Sequence, residues 1–111
     1  MNLKKHRDSH GNYYEFNEIK NSLTTIFIHG VGLDNTMWYP QKKYFHNQSI
    51  LFYDLLNHGQ SRCGFTDLNF DIYSNQLLHL INELQLDKIN IVGFQLEHLL
   101  HNILQKNFMI K

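Results

Sequence analysis

The stretch KINIVGFQLE, Lys88 to Glu97, runs from the apolar residues Ile89 to Val92 straight into a glycine and then changes period. A β-branched run of this kind predicts a strand buried on both faces. Gly93 ends it, and Leu96 to Asn107, LEHLLHNILQKN, spaces its apolar residues as a helix does. Strand, sharp glycine turn and helix form a shape that lifts one side chain clear of the backbone. In this chain the residue at the tip is Gln95.

Working outward, two earlier segments have the same form. TTIFIHGVG, Thr24 to Gly32, and SILFYDLLNHGQS, Ser49 to Ser61, are apolar runs that enter turn-rich loops. Between them, Pro40 restricts NTMWYPQKKYF to a short helix at best. After the second run, Ile72, Leu77, Leu80, Ile81 and Leu84 recur at helical spacing, with Asn69 or Asp71 as the expected cap. At the start, NLKKH and YYEFNEIK flank Asp8 to Gly11 as the arms of a hairpin. The expected fold is α/β, an N-terminal hairpin followed by three parallel strands with crossover helices. The parallel strands are expected to pair in the order second, first, third. The last strand is then left at an edge, which offers a route to self-association. In such sheets, sites form beyond the carboxyl ends of strands, so the three junctions should converge.

Composition narrows the classes. A chain of 111 residues makes one domain, and its formal net charge of zero offers nothing to nucleic acid or a membrane surface. Its single cysteine, Cys63, excludes an internal disulfide framework and fits a reducing compartment. Cys63 lies in a polar loop with no basic cluster, and is expected to be inert. The N-terminus lacks the apolar core of a signal peptide, so a cytoplasmic location is expected.

Together the three junctions resemble the first half of an α/β-hydrolase. His29-Gly30-Val31-Gly32 resembles the His-Gly turn after that family's third strand. Asp54 to Ser61 resembles its Asp-x-x-Gly-x-Gly-x-Ser loop, with Asn57 in place of the first glycine and His58, Gly59 and Ser61 matching. GFQLE stands where the family has Gly-x-Ser-x-Gly. The resemblance covers about residues 13–94 of an incomplete domain, leaving 95–111 as a divergent tail. It implies hydrolysis of esters or related small-molecule acyl substrates without a cofactor. It assigns the oxyanion donors to the backbone N–H groups of Val31 and Leu96. It makes His29, Gly30, Gly32, Asp54, His58, Gly59, Ser61 and Gly93 residues that shape the site, with His29 bridging loops. Met37 and Trp38 stand where the family lines its acyl pocket, and a plain core role fits them equally.

Two departures bear on activity. An amide is not a nucleophile, so Gln95 cannot act as the family's serine does. Glu97 replaces the second glycine of the turn, and no residue through Lys111 matches the acid or the histidine of a triad. The chain as written is therefore expected to be inactive. Reading the codons after Gln95 one base early permits Gly-Ala-Leu-Val-Ala-Gln-Tyr-Phe-Ala, like the family's small-residue helix, so a shifted frame is expected there. The rival classes are a non-catalytic pseudoenzyme and a dinucleotide-binding module, the latter from Gly30-x-Gly32 with Asp54 as the ribose acid. No metal is expected. His98 and His101 share a helix face as part of a polar stripe, and the eight histidines suggest no cluster elsewhere.

Overall fold

The computed structural model describes residues 3–45, 47–65, 69–93 and 109–110. Its strands are β1 (Lys4–Arg7), β2 (Tyr13–Asn17), β3 (Thr24–Ile28), β4 (Ile50–Tyr53), β5 (Lys88–Gly93) and β6 (Met109–Ile110). A 3-10 helix (Asn35–Trp38) leads into α1 (Tyr39–Tyr44), and α2 (Phe70–Glu83) joins β4 to β5.

The six strands form one mixed sheet in the order β1-β2-β4-β3-β5-β6. The β1–β2 hairpin turns at Asp8 to Gly11, as the sequence predicts, and β2 runs antiparallel to β4. β4, β3 and β5 are parallel in the expected order of second, first, third. One expectation is corrected: β5 is not a bare edge, because β6 pairs with it at Lys88 and Ile89. Among the described residues, Asn90 to Gly93 have no strand partner on that side.

The apolar runs of β3 and β4 form strands covered on both faces. The expectation that β5 is equally buried is corrected: Ile89 is fully buried, but Ile91 is half-buried and Val92 exposed, because β5 lies beside the short edge strand β6. Ile50, Leu51, Phe52 and Tyr53 are each fully buried. Alternation along β3 divides its side chains: Ile26 and Ile28 pack with α2, whereas Phe27 packs with Trp38, Ile50 and Phe52. Phe27 meets Trp38 edge-on at 5.1 Å and stacks on Phe52 at 4.6 Å. Trp38 thus has the core role of its two sequence readings. On α2, Tyr73, Leu77, Leu80 and Ile81 make one apolar stripe. Asn69 caps the helix start, its Oδ1 accepting from the Ile72 N–H at 3.0 Å. The helix ends without glycine. Gln85 takes φ 55°, and the Leu86 N–H returns to the Ile81 carbonyl at 3.0 Å, closing the last turn. Among the described residues, no helix is long and apolar enough to cross a membrane.

Candidate active site

Register aligns the three strand ends. Ile28 pairs with Tyr53 on one side and with Gly93 on the other, so the three loops leave the sheet at one level. Backbone crowding explains Gly93: a Cβ there would lie 2.9 Å from Ile28 Cβ and press into the Ile28 carbonyl.

The loop after β4 is organised around Asp54, which is fully buried. One carboxylate oxygen accepts from the Asn35 backbone N–H at 2.8 Å and from Asn35 Nδ2 at 2.7 Å. The other accepts from the Gln60 N–H at 2.9 Å. A buried carboxylate is tolerated only with such a set of donors. Lys42 Nζ donates to Asn35 Oδ1 and, at 3.0 Å, to Glu15, which brings a cation within one residue of the buried charge. The Asp54 carbonyl accepts from Ser61 Oγ at 2.5 Å and from Gln76 Nε2 at 2.9 Å. Ser61 Oγ in turn accepts from the Tyr13 N–H at 2.9 Å. Gly59, at φ 50°, lies against the carboxylate, and any Cβ there would collide with it.

Asn57, the departure from the family's first glycine, sits at φ 65°. Asparagine is one of the few residues that take this left-handed conformation readily. Its side chain also clamps the loop, accepting from the Phe65 N–H at 3.1 Å and donating to the Phe65 carbonyl at 2.6 Å.

Two histidines lace this loop to the one after β3. His29 Nε2 accepts from the Leu55 N–H at 3.0 Å, and its Nδ1 donates to the Gly30 carbonyl at 2.7 Å. His58 Nε2 accepts from the Gly32 N–H at 2.8 Å, and its Nδ1 donates to the Leu56 carbonyl at 2.8 Å. These partners assign the same neutral tautomer to both rings, which lie 5.2 Å apart. Burial holds the His29 imidazole below its ordinary pKa, outweighing its bond to the Gly30 carbonyl and the nearby Asp54. Gly32, at φ 89°, fills the position that needs a positive φ in the turn closed by the Leu33 N–H on the Gly30 carbonyl at 3.1 Å. Val31 projects from this turn, 59% exposed. Among the described residues no acceptor takes its N–H.

The structure therefore brings together His29, Gly30, Val31, Gly32, Asp54, His58, Gly59, Ser61 and Gly93. Gln95, Leu96, Glu97, the tail helix and the His98–His101 pair lie outside the described residues. The dinucleotide-binding reading is overturned, because Asp54 is buried with both carboxylate oxygens engaged and cannot meet a ribose. Gly30-x-Gly32 also leads into a four-residue 3-10 helix instead of a long helix beginning at the loop. Four contributors escaped the sequence reading: Asn35, Lys42, Gln76 and the Tyr13 N–H. No local pattern marks them, since their bonds join distant segments. The expectation of no histidine cluster is also corrected: His10 and His79 stack at 3.6 Å beside Asp8 and Glu83.

The fold and these loops define the class: the chain carries the N-terminal part of the α/β-hydrolase fold. It is similar to an α/β-hydrolase enzyme from a Medee basin deep-sea metagenome library, with 25% identity and a TM-score of 0.78, over 90% of this chain and 38% of that one. A haloalkane dehalogenase loop variant from Bradyrhizobium elkanii shares the fold at 19% identity and a TM-score of 0.79, over 98% of this chain and 38% of that one. Among curated proteins, (E)-2-((N-methylformamido)methylene)succinate hydrolase of Acinetobacter baylyi is 29% identical over 101 residues, 90% of this chain and 36% of that protein. An uncharacterized protein of Mycobacterium tuberculosis is 30% identical over 91 residues, 81% of this chain and 27% of that protein. The chain thus spans about a third of the length of these relatives. No protein-family model matches it.

Proposed function

We propose that this chain builds the oxyanion side of a hydrolase site for a small acyl substrate, and that with Gln95 at the nucleophile position it does not turn over esters as it stands. The Val31 N–H carries the reading. It belongs to an exposed residue in a turn held on both sides by histidines, level with the end of β5. A preorganised donor of this kind stabilises the oxyanion that develops in acyl transfer. The hydrolase name of the Acinetobacter baylyi relative supports the same chemistry. Gln95 supplies no nucleophile. His29 and His58 cannot serve as its base, because each Nε2 already accepts a backbone N–H.

The test is hydrolysis of p-nitrophenyl acetate by the purified chain, freed of host esterases. No turnover above background is expected. Gln95→Ser alone is expected to stay inactive, since a lone hydroxyl lacks its general base. Sustained turnover by the unaltered chain overturns the proposal.

The same Val31 N–H supports a second reading, non-catalytic binding of an acyl or carboxylate ligand. Saturable movement of the Val31 amide resonance on adding acetate, without hydrolysis of the ester, would favour it.

A further inference from the structure

We propose that Asp8, His79 and Glu83 form a site for a divalent transition-metal ion of the zinc class, which staples the β1–β2 hairpin to α2. None of these residues belongs to the loops after β3, β4 and β5.

His79 and Glu83 lie one turn apart on α2, and Asp8 lies in the hairpin turn. His79 Nε2 is 3.2 Å from a Glu83 carboxylate oxygen and 3.5 Å from Asp8 Oδ2. One ligand atom from each of the three residues falls within 4.8 Å of the others. Zinc bonds to nitrogen and carboxylate oxygen run about 2.0–2.2 Å, which sets the ligand atoms of a tetrahedral site about 3.3 Å apart. The two separations to His79 Nε2 therefore already match a coordination sphere, and the Asp8 and Glu83 oxygens, no more than 4.8 Å apart, need only a small closing movement.

The surrounding groups are arranged as metal ligands require. The Asp8 side chain is fully buried and held by three donors: the His10 N–H at 2.9 Å, the Asn12 N–H at 2.8 Å and Asn12 Nδ2 at 2.7 Å. Asn12 Oδ1 accepts from Gln76 Nε2 at 3.0 Å, which ties this turn to α2. The His10 ring lies flat on the His79 ring, 3.6 Å away at 6°, and fixes its plane. Ser9 Oγ donates to Glu83 at 2.5 Å and lies 3.2 Å from His79 Nε2.

Charge supplies the chemical reason. Two carboxylates converge on one imidazole nitrogen, a grouping that calls for a cation at its centre. A proton on Nε2 satisfies one direction at a time, whereas a metal ion meets all three ligands at once. The imidazole favours a transition ion over calcium or magnesium, which take oxygen ligands.

Zinc chloride titrated into the full chain, followed by calorimetry, tests the proposal, with cobalt(II) replacing zinc for visible spectra. One ion per chain is expected, with a raised thermal midpoint. His79→Gln should weaken binding at least about tenfold. Glu83→Gln should do the same while keeping a side chain that Ser9 can reach, and it decides the matter if His79→Gln fails to fold. The double variant His98→Gln/His101→Gln should bind unchanged. Absence of saturable binding overturns the site, as does binding that survives in folded His79→Gln or in Glu83→Gln. Loss of binding in the His98/His101 variant overturns it too.

Discussion

Asn57 and Gly59 stand two positions apart, both at positive φ, and they should respond to substitution to different degrees. Asn57→Gly removes the clamp on Phe65 but relieves the left-handed backbone, so its net cost should stay within about 1 kcal/mol. Gly59→Ala drives a methyl group into a buried carboxylate and should cost at least about 2 kcal/mol. Urea denaturation of both variants checks the contrast, and equal costs would contradict the role assigned to Asp54. His29 gives a pH dependence. Its folded-state pKa lies below the ordinary 6.5, so the unfolded chain binds the proton more readily. Its contribution is therefore fully present above pH of about 6.5 and is lost as pH falls from there through the depressed folded value. The urea midpoint should drop over that window, and less steeply in His29→Gln than in the parent. At this scale the sequence displayed the glycines, Asp54 and His29 plainly. It could not display Asn35, Lys42 or Gln76, because hydrogen bonds between distant segments leave no period in a chain.

The secondary elements were easier to anticipate. Residues 26–28 and 50–53 form strands because apolar runs suit a sheet covered on both faces, and 88–93 pairs beside them with only Ile89 fully buried. The first helix is short, with Pro40 in the first turn, where a proline is tolerated. Less visible were the end of α2, where Gln85 does what glycine usually does, and the pairing of β6 with β5. The first depends on a conformation that glutamine seldom adopts, and the second on a two-residue strand too short to show alternation. The cap of α2 offers a clean measurement. Asn69→Ala removes the acceptor for the Ile72 N–H and should cost about 1 kcal/mol by thermal melting. A cost near zero would mean that tertiary packing alone sets where the helix begins.

For the molecule as a whole, the sheet edge is expected to set behaviour in solution. Among the described residues, β6 covers β5 only at Lys88 and Ile89. Beyond that point Val92 is 37% exposed, and Val31 and Leu33 are also exposed. A strand edge with apolar neighbours invites pairing with another chain. Sedimentation velocity should show association that grows with concentration, and Val92→Lys should reduce it. Sedimentation as a monomer at every concentration would reject this reading of the edge.

The buried Asp54 also bears on when the chain acquires its site. Its bonds reach across 19 positions to Asn35 and 22 to Gln76, while Ser61 reaches across 48 to Tyr13 and Gln76 across 64 to Asn12. None of these can form during local collapse, because each must first close a long loop and offset its entropy. The 3-10 helix must dock beside β4 before the carboxylate meets Asn35, and the hairpin and α2 must arrive before Tyr13 meets Ser61 and Gln76 meets the Asp54 carbonyl and Asn12. The assembled site should therefore be a late product of folding. Because the Asn35 contacts cannot be released without uncovering the buried carboxylate, opening this loop and loosening the sheet should occur together.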